Sequence, residues 1–190
     1  MNQKTYLKVP FVWEEPKPLI DVPSRLKFKP VSAVGDDILI SSVASVMASS
    51  LDANHQKKIL ERDPQQAADM FLKSAREGYS YKDEWWQFGV NEEGEIVGFV
   101  LPVIFKGCTK DGLEEGTIYD IGVLPKYRGL GYGNDLLSQG TRVLQELGVW
   151  RVFCDTAVNN VLMISIFRRV GYRQYSESWN VPFKCYVVCG

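Results

Sequence analysis

"KYRGLGYGNDLL", Lys126 to Leu137, sets a glycine at every second position (Gly129, Gly131 and Gly133) and then passes straight into an apolar pattern of helical period. Glycine weakens a strand, and inside a helix it costs about 1 kcal/mol relative to alanine. The residues before the cluster, "TIYDIGVL", read as a strand ending near Val123. Those after it put Leu136, Leu137, Gly140, Val143, Leu144 and Leu147 on one face of a helix beginning near Gly131. The glycines therefore mark a strand-to-helix turn. A helix start leaves several backbone N–H groups unpaired, with the positive end of the helix dipole behind them. Bare backbone there lets a phosphate or pyrophosphate come close.

Working outward, four of the nine prolines fall among the first 23 residues (Pro10, Pro16, Pro18, Pro23), so residues 1–24 read as an extended arm carrying at most one edge strand. "LKFKPVS" suits a first strand, and "DDILISSVASVMASSL" a helix with acidic residues at its start. "PQQAADMFLKSAREG" is a second helix with proline in its first turn. The period then shortens. "WWQFGV" and "IVGFVLPVIF" are strands joined by the hairpin signal "NEEGE". "KGCTKDGLEEG" reads as a longer polar connection to the strand before the glycines. Beyond the third helix come a strand "WRVFCD", a short helix "NVLMISIFRRV" ended by Gly171, and closing strands "YRQYSE" and "VPFKCYVV". The order describes an α/β domain with a mixed sheet over residues 25–190.

The bulk numbers exclude more than they assign. A chain of 190 residues, 45% hydrophobic and 24% charged, suits one globular domain. A net charge of −1 gives no footprint for nucleic acid or anionic membrane. No apolar run approaches the roughly 18 residues of a membrane span. The N-terminus lacks the apolar stretch of a secretory signal, so the expected compartment is the cytoplasm. Cys108, Cys154, Cys185 and Cys189 have poor spacing for a metal or redox site and read as small apolar fillers; no metal is expected. His55, in "LDANHQKK", reads as a solvated histidine at a helix end or in a loop.

Three phosphate-binding patterns compete for the glycine turn. A P-loop requires Gly-Lys-Ser/Thr, which does not occur. A dinucleotide-binding unit requires G-x-G-x-x-G directly after the strand; here Asn134 stands at the third glycine, though Asp155 at the end of the next strand could serve as the ribose-binding acid. The third fits best. "VLPKYRGLGYG" closely resembles the acetyl-CoA loop of the GNAT superfamily of N-acetyltransferases, [R/Q]-x-x-G-x-[G/A], carried here by Arg128 to Gly133. "NVLMISIFRRVGYR" resembles the family's later segment, with Asn160, Phe167, Gly171 and Tyr172 in its slots. The resemblance covers roughly residues 26–188.

That resemblance implies a GNAT fold, a mixed central sheet flanked by helices, and transfer of the acetyl group of acetyl-CoA to an amine. It assigns the pyrophosphate to the backbone of Arg128, Gly129, Leu130, Gly131, Tyr132 and Gly133. The pantetheine arm falls to Ile121, Gly122 and Val123 on a splayed strand and to Asn160, which a helix N-cap role explains equally. A backbone N–H of that strand would stabilise the oxyanion. Free alkylamines titrate near 10, so a base or water relay is expected. Asp120 is the first candidate, a structural carboxylate being the alternative; Tyr119, read as facing the other way along the strand, is the second. Phe167 stands where many members carry an acid tyrosine, which also admits a silent acyl-CoA-binding domain. Tyr79, Tyr81, Asp83, Glu84, Trp85 and Trp86 lie where an acceptor site belongs, but core packing is favoured for them. Trp179 is ambiguous in the same way. The acceptor is left open, as is a homodimer.

Overall fold

The computed structural model describes residues 5–14, 24–50 and 53–182. β1 (Thr5–Glu14) and β2 (Lys27–Pro30) precede three helices, α1 (Asp36–Met47), α2 (Ala53–Glu61) and α3 (Pro64–Gly78). Then come β3 (Tyr79–Ser80), β4 (Gln87–Val90), β5 (Ile96–Lys110), β6 (Leu113–Val123) and α4 (Tyr132–Glu146). The chain closes with β7 (Arg151–Ala157), α5 (Val161–Val170), β8 (Arg173–Gln174) and β9 (Trp179–Pro182). One sheet runs β2-β4-β5-β6-β7-β1-β8, with β3 beside β5 and β9 beside β1. Among the described strands β6 and β7 alone pair in parallel. This is the mixed sheet that the sequence leads one to expect.

Each face of the sheet is buried by its own helices. On one, Leu39, Val43 and Met47 of α1 and Phe71 and Leu72 of α3 cover Phe88, Phe99 and Leu101. On the other, Leu136, Leu137 and Leu144 of α4 and Phe167 of α5 cover Phe11, Val100 and Ile118. The starts of the helices are set by local chemistry. The Asp63 carboxylate accepts from the N–H groups of Gln65 and Gln66 ahead of Pro64, a combination that satisfies orphan donors and fixes φ. Asn160 does the same for α5, accepting from Met163 N–H at 3.3 Å.

Three expectations need correction. The strand in the N-terminal arm is an interior one, hydrogen-bonded between β7 on one side and β8 and β9 on the other. Pro10 is tolerated because its missing donor falls in the gap between β8, which pairs with Phe11 and Val12, and β9, which pairs with Thr5 to Lys8. Its carbonyl still accepts from Tyr175 N–H. "KGCTKDGLEEG" is mostly strand; the turn is only Asp111-Gly112, both at positive φ (54° and 79°), as a tight hairpin demands. Lastly, "ANHQKKILE" is a helix, α2. Cys108 is disulfide-bonded and Cys154 is a buried free thiol, so the cysteines are not uniformly unpaired fillers. Cys185 and Cys189 lie outside the described residues.

Candidate active site

The site begins as a fork in the sheet. β6 and β7 pair only at Glu115 with Arg151 and Gly116 with Val152. At that closed end the two buried side chains form an ion pair, Arg151 Nε donating to Glu115 Oε1 at 2.8 Å. One step further the ladder stops, because Ile118 N–H donates to the Cys154 thiol at 3.4 Å instead of to a β7 carbonyl. From Tyr119 to Val123 the β7-facing edge of β6 has no strand beside it among the described residues. Burial pushes the Cys154 thiol up to about 12, so it stays protonated and is not a nucleophile at neutral pH. The neighbouring Tyr172 phenol, pushed well above its usual range by burial, bonds Thr141 of α4 at 2.7 Å.

The fork opens onto the glycine turn. Gly129 and Gly131 sit at φ of 80° and 84°, and Gly131 is the N-cap of α4. That left-handed backbone is where side chains are strained. Gly133 is bare for another reason: a Cβ there would lie 2.7 Å from Ile166 Cδ1, so the residue lets α4 and α5 approach. Among the described residues no hydrogen bond occupies the N–H groups of residues 129 to 133. Arg25 braces the turn from behind, donating to the Leu130 carbonyl at 2.8 Å and to buried Asp135 of α4 at 2.7 Å. Arg128 reaches the other way, donating to the Val123 carbonyl at 3.1 Å and the Ser49 carbonyl at 3.0 Å.

Partway along the free edge β6 carries a bulge. Leu101 faces Asp120 and Pro102 faces Ile118, so Tyr119 is the extra residue. A bulge re-aims side chains, and here Tyr119 and Asp120 both reach the helices α2 and α3, correcting the expectation that they face opposite ways. The Tyr119 hydroxyl donates to the Phe71 carbonyl of α3 at 3.2 Å. Asp120 is 8% exposed, with Oδ1 accepting from Ile121 N–H at 2.9 Å.

Beside it stands a group that sequence reasoning missed. His55 of α2 is not solvated but also 8% exposed, its Nε2 3.8 Å from Asp120 Oδ1. Its Nδ1 is 3.1 Å from Ser50 Oγ, and its ring meets the edge of Phe71. No local signal marks a histidine whose burial comes from helix packing.

The remaining candidates divide between groove and core. Ile121, Gly122 and Val123 form the free edge, and Asn160 caps α5 across the opening. Phe167 is in the core, 3% exposed and stacked on Phe11 with ring centroids 4.8 Å apart. Trp86 is fully buried beneath Tyr81 and the Arg76 guanidinium and Tyr79 is buried too, whereas Tyr81 and Trp85 are half-buried and Asp83 and Glu84 exposed on the turn; Trp179 packs edge-on against Phe153. Asp155 is ion-paired with Lys8 of β1 and its sheet is largely antiparallel, which removes the dinucleotide reading. Among the described residues no group of three His, Cys, Asp or Glu is placed to hold a metal, and no helix is long and apolar enough to cross a membrane.

Comparison with known proteins agrees with this geometry. The family model described as the acetyltransferase (GNAT) family matches residues 53–172, more than half of the chain. A mycothiol acetyltransferase of Arthrobacter sp. (strain FB24) is 33% identical over 86 residues, which is 45% of this chain and 26% of that protein. A ribosomal protein bS18 alanine N-acetyltransferase of Haemophilus influenzae is 28% identical over 83 residues, 44% of this chain and 51% of that one. The chain thus spans between a quarter and a half of these relatives' length. Among solved structures, one described as a putative acetyl transferase from Pyrococcus furiosus superposes with a TM-score of 0.59 at 19% identity, over 80% of this chain and 95% of that one. The forked sheet, the bare helix start and the family match converge: the chain belongs to the GNAT family of acetyltransferases.

Proposed function

We propose that the protein binds acetyl-CoA along the fork and transfers the acetyl group directly to an amine, of a small molecule or of a protein. The observation that carries this reading is that the unpaired edge of β6 leads straight to the unoccupied amides at the start of α4. Those amides, from Gly129 to Gly133, next to Arg128 whose own N–H donates to the Pro125 carbonyl, hold the diphosphate by hydrogen bonding and helix dipole, without a lysine. The backbone of Ile121, Gly122 and Val123, with the Ile121 N–H held by Asp120 and the Val123 carbonyl by Arg128, lines the path of the pantetheine arm. Asn160 closes the arm from α5, and Phe167 backs this wall from the core.

The chemistry then follows from position. The bulge brings the β6 backbone beside the thioester, where one of its N–H groups would serve as an oxyanion hole. Asp120, buried and on the same bulge, is the base that takes the proton of the attacking amine; Tyr119, held by the Phe71 carbonyl, is the second candidate. No acid is required on Phe167, since a thiol titrates at about 8.5 and leaves as thiolate. The Cys154 thiol, kept protonated, supports direct transfer over an acyl-enzyme. The same reading proposes the cytoplasm as the compartment; the disulfide at Cys108 is the feature that pulls against it.

Calorimetry with acetyl-CoA, CoA and NAD tests the binding, and thiol release across an amine panel tests transfer. Binding of both CoA species with no thiol release from any amine would favour a silent acyl-CoA-binding domain. Binding of NAD alone would remove the proposal.

A further inference from the structure

Transfer to an amine that arrives as an ammonium ion leaves one proton to dispose of. The new C–N bond forms as C–S breaks, the thiolate takes one proton to become CoA thiol, and a second must reach solvent. Asp120 can accept that proton, but it is buried and would stay neutral, and so inert, until the proton leaves. Among the described residues, a path leads from it through His55. His55 Nε2 faces Asp120 Oδ1 at 3.8 Å, and the opposite ring nitrogen, Nδ1, is 3.1 Å from the half-buried Ser50 hydroxyl.

We infer that His55 is a positioning residue acting through Asp120: it takes the proton from the carboxylate at Nε2 and gives up another from Nδ1 toward Ser50 and the surface. An imidazole does this through the doubly protonated ring, taking up at one nitrogen and releasing from the other, and exchange with water restores the starting tautomer between turnovers. The inference rests on the acetyl-transfer reading and adds to it a route by which the base is reset each turnover.

The geometry around the ring supports a relay over a packing role. Among the described residues, the groups that face the imidazole are Asp120 from β6, Ser50 from the connection after α1, and the Phe71 ring from α3, whose centroid is 5.3 Å away. The Tyr119 phenol lies one side chain further off, with its hydroxyl committed to the Phe71 carbonyl. So one nitrogen lies near a carboxylate, the other near a hydroxyl, and the ring packs against Phe71. The Ser50 end is held as well: Gln56 Nε2 donates to the Ser50 carbonyl at 3.0 Å, and Arg128 of the glycine turn fixes the adjacent Ser49 carbonyl.

The chain has one histidine, so a long-range 15N imidazole spectrum reports His55 alone. In the full chain at alkaline pH, the inference expects one tautomer with the proton on Nδ1, toward Ser50, leaving Nε2 open to Asp120, and mixed tautomers in Asp120→Asn. Identical spectra overturn it, whether or not the protein transfers acetyl groups. Kinetics then separate relay from scaffold. With primary alkylamines, His55→Gln should lower kcat about 10-fold or more while the KM for acetyl-CoA stays within about two-fold. With hydroxylamine, which is already neutral at pH 7 and brings no second proton, the same variant should lose about two-fold at most. Equal losses with both nucleophiles mean a structural role and overturn the relay. Calorimetry with CoA on the variant keeps this result apart from any failure of the binding reading.

Discussion

The two ends of β6 do opposite jobs with the same backbone. At the closed end, Glu115 and Gly116 pair with β7, and the buried Glu115–Arg151 bridge ties the strands together, with Arg151 stacked over Trp150 at 4.4 Å. At the open end, from Tyr119 to Val123, β7 is gone, a bulge interrupts the pairing with β5, and the strand ends in a bare turn. The changeover is one residue wide, where a cysteine thiol takes the donor that a carbonyl would take in a continuous ladder. The contrast teaches that stability and chemistry are segregated along one strand: each unmet hydrogen bond of the open end is available to a ligand because the closed end holds the sheet without it.

Substitutions at the open end should therefore cost function and those at the closed end stability. The largest effect belongs to Asp120→Asn, expected to lower kcat by about 10²–10⁴-fold, the usual range for a general base, with the Kd for CoA unchanged. A variant running at full rate would clear Asp120 of that role. Next is Arg151→Ala, which leaves Glu115 charged and buried and should cost about 3–5 kcal/mol in urea unfolding, whereas Glu115→Leu with Arg151→Met should be near neutral. If the single variant lowers CoA affinity more than stability, the segregation fails. Gly131→Trp places a side chain at φ 84° and, from its Cβ on, within 3.2 Å of Arg25 Nη2; CoA binding should fall about 100-fold, close to 2.7 kcal/mol, with the fold retained by circular dichroism.

Smaller effects sharpen the boundary between the ends. The Cys154 thiol, raised from 9.0 to about 12 by burial, holds its proton more tightly folded than unfolded. Its contribution to stability is complete below pH 9 and is lost as pH climbs toward 12. Cys154→Ala should remove part of that alkaline slope in pH-dependent unfolding, the rest coming from buried Tyr172, which acts in the same direction. Smallest of all is Arg25→Ala. The guanidinium is half exposed and its bridge to Asp135 is worth about 0–1 kcal/mol, so acetyl-CoA affinity should drop only a few-fold in calorimetry.

What could be read from the residues depended on whether the information was local. Gly129 and Gly131 announce themselves because positive φ is a property of single residues, and the Asn160 cap and the end of β6 at Val123 are likewise set within a few positions. The Asp111-Gly112 turn was equally local, and the polar residues around it disguised a strand. The bulge is not local: it exists only in the register between β5 and β6, and its one sign in the sequence is Pro102 inside a strand. His55 is less legible still. Nothing in "LDANHQKK" distinguishes a solvated from a buried histidine, since its surroundings are assembled from α3, β6 and the turn after α1.

The placing of β1 also has a bearing on how the chain comes to be assembled. Its contact between Lys8 and Asp155 joins residues 147 positions apart, so β1 leaves the ribosome long before the strand it pairs with. Until β7 emerges, Val9, Phe11 and Trp13 have no sheet to enter, and such delayed, distant pairing slows folding and invites capture by other chains. Synthesis order thus leaves β1 waiting unpaired in the nascent chain, even though in the finished one it is an interior strand.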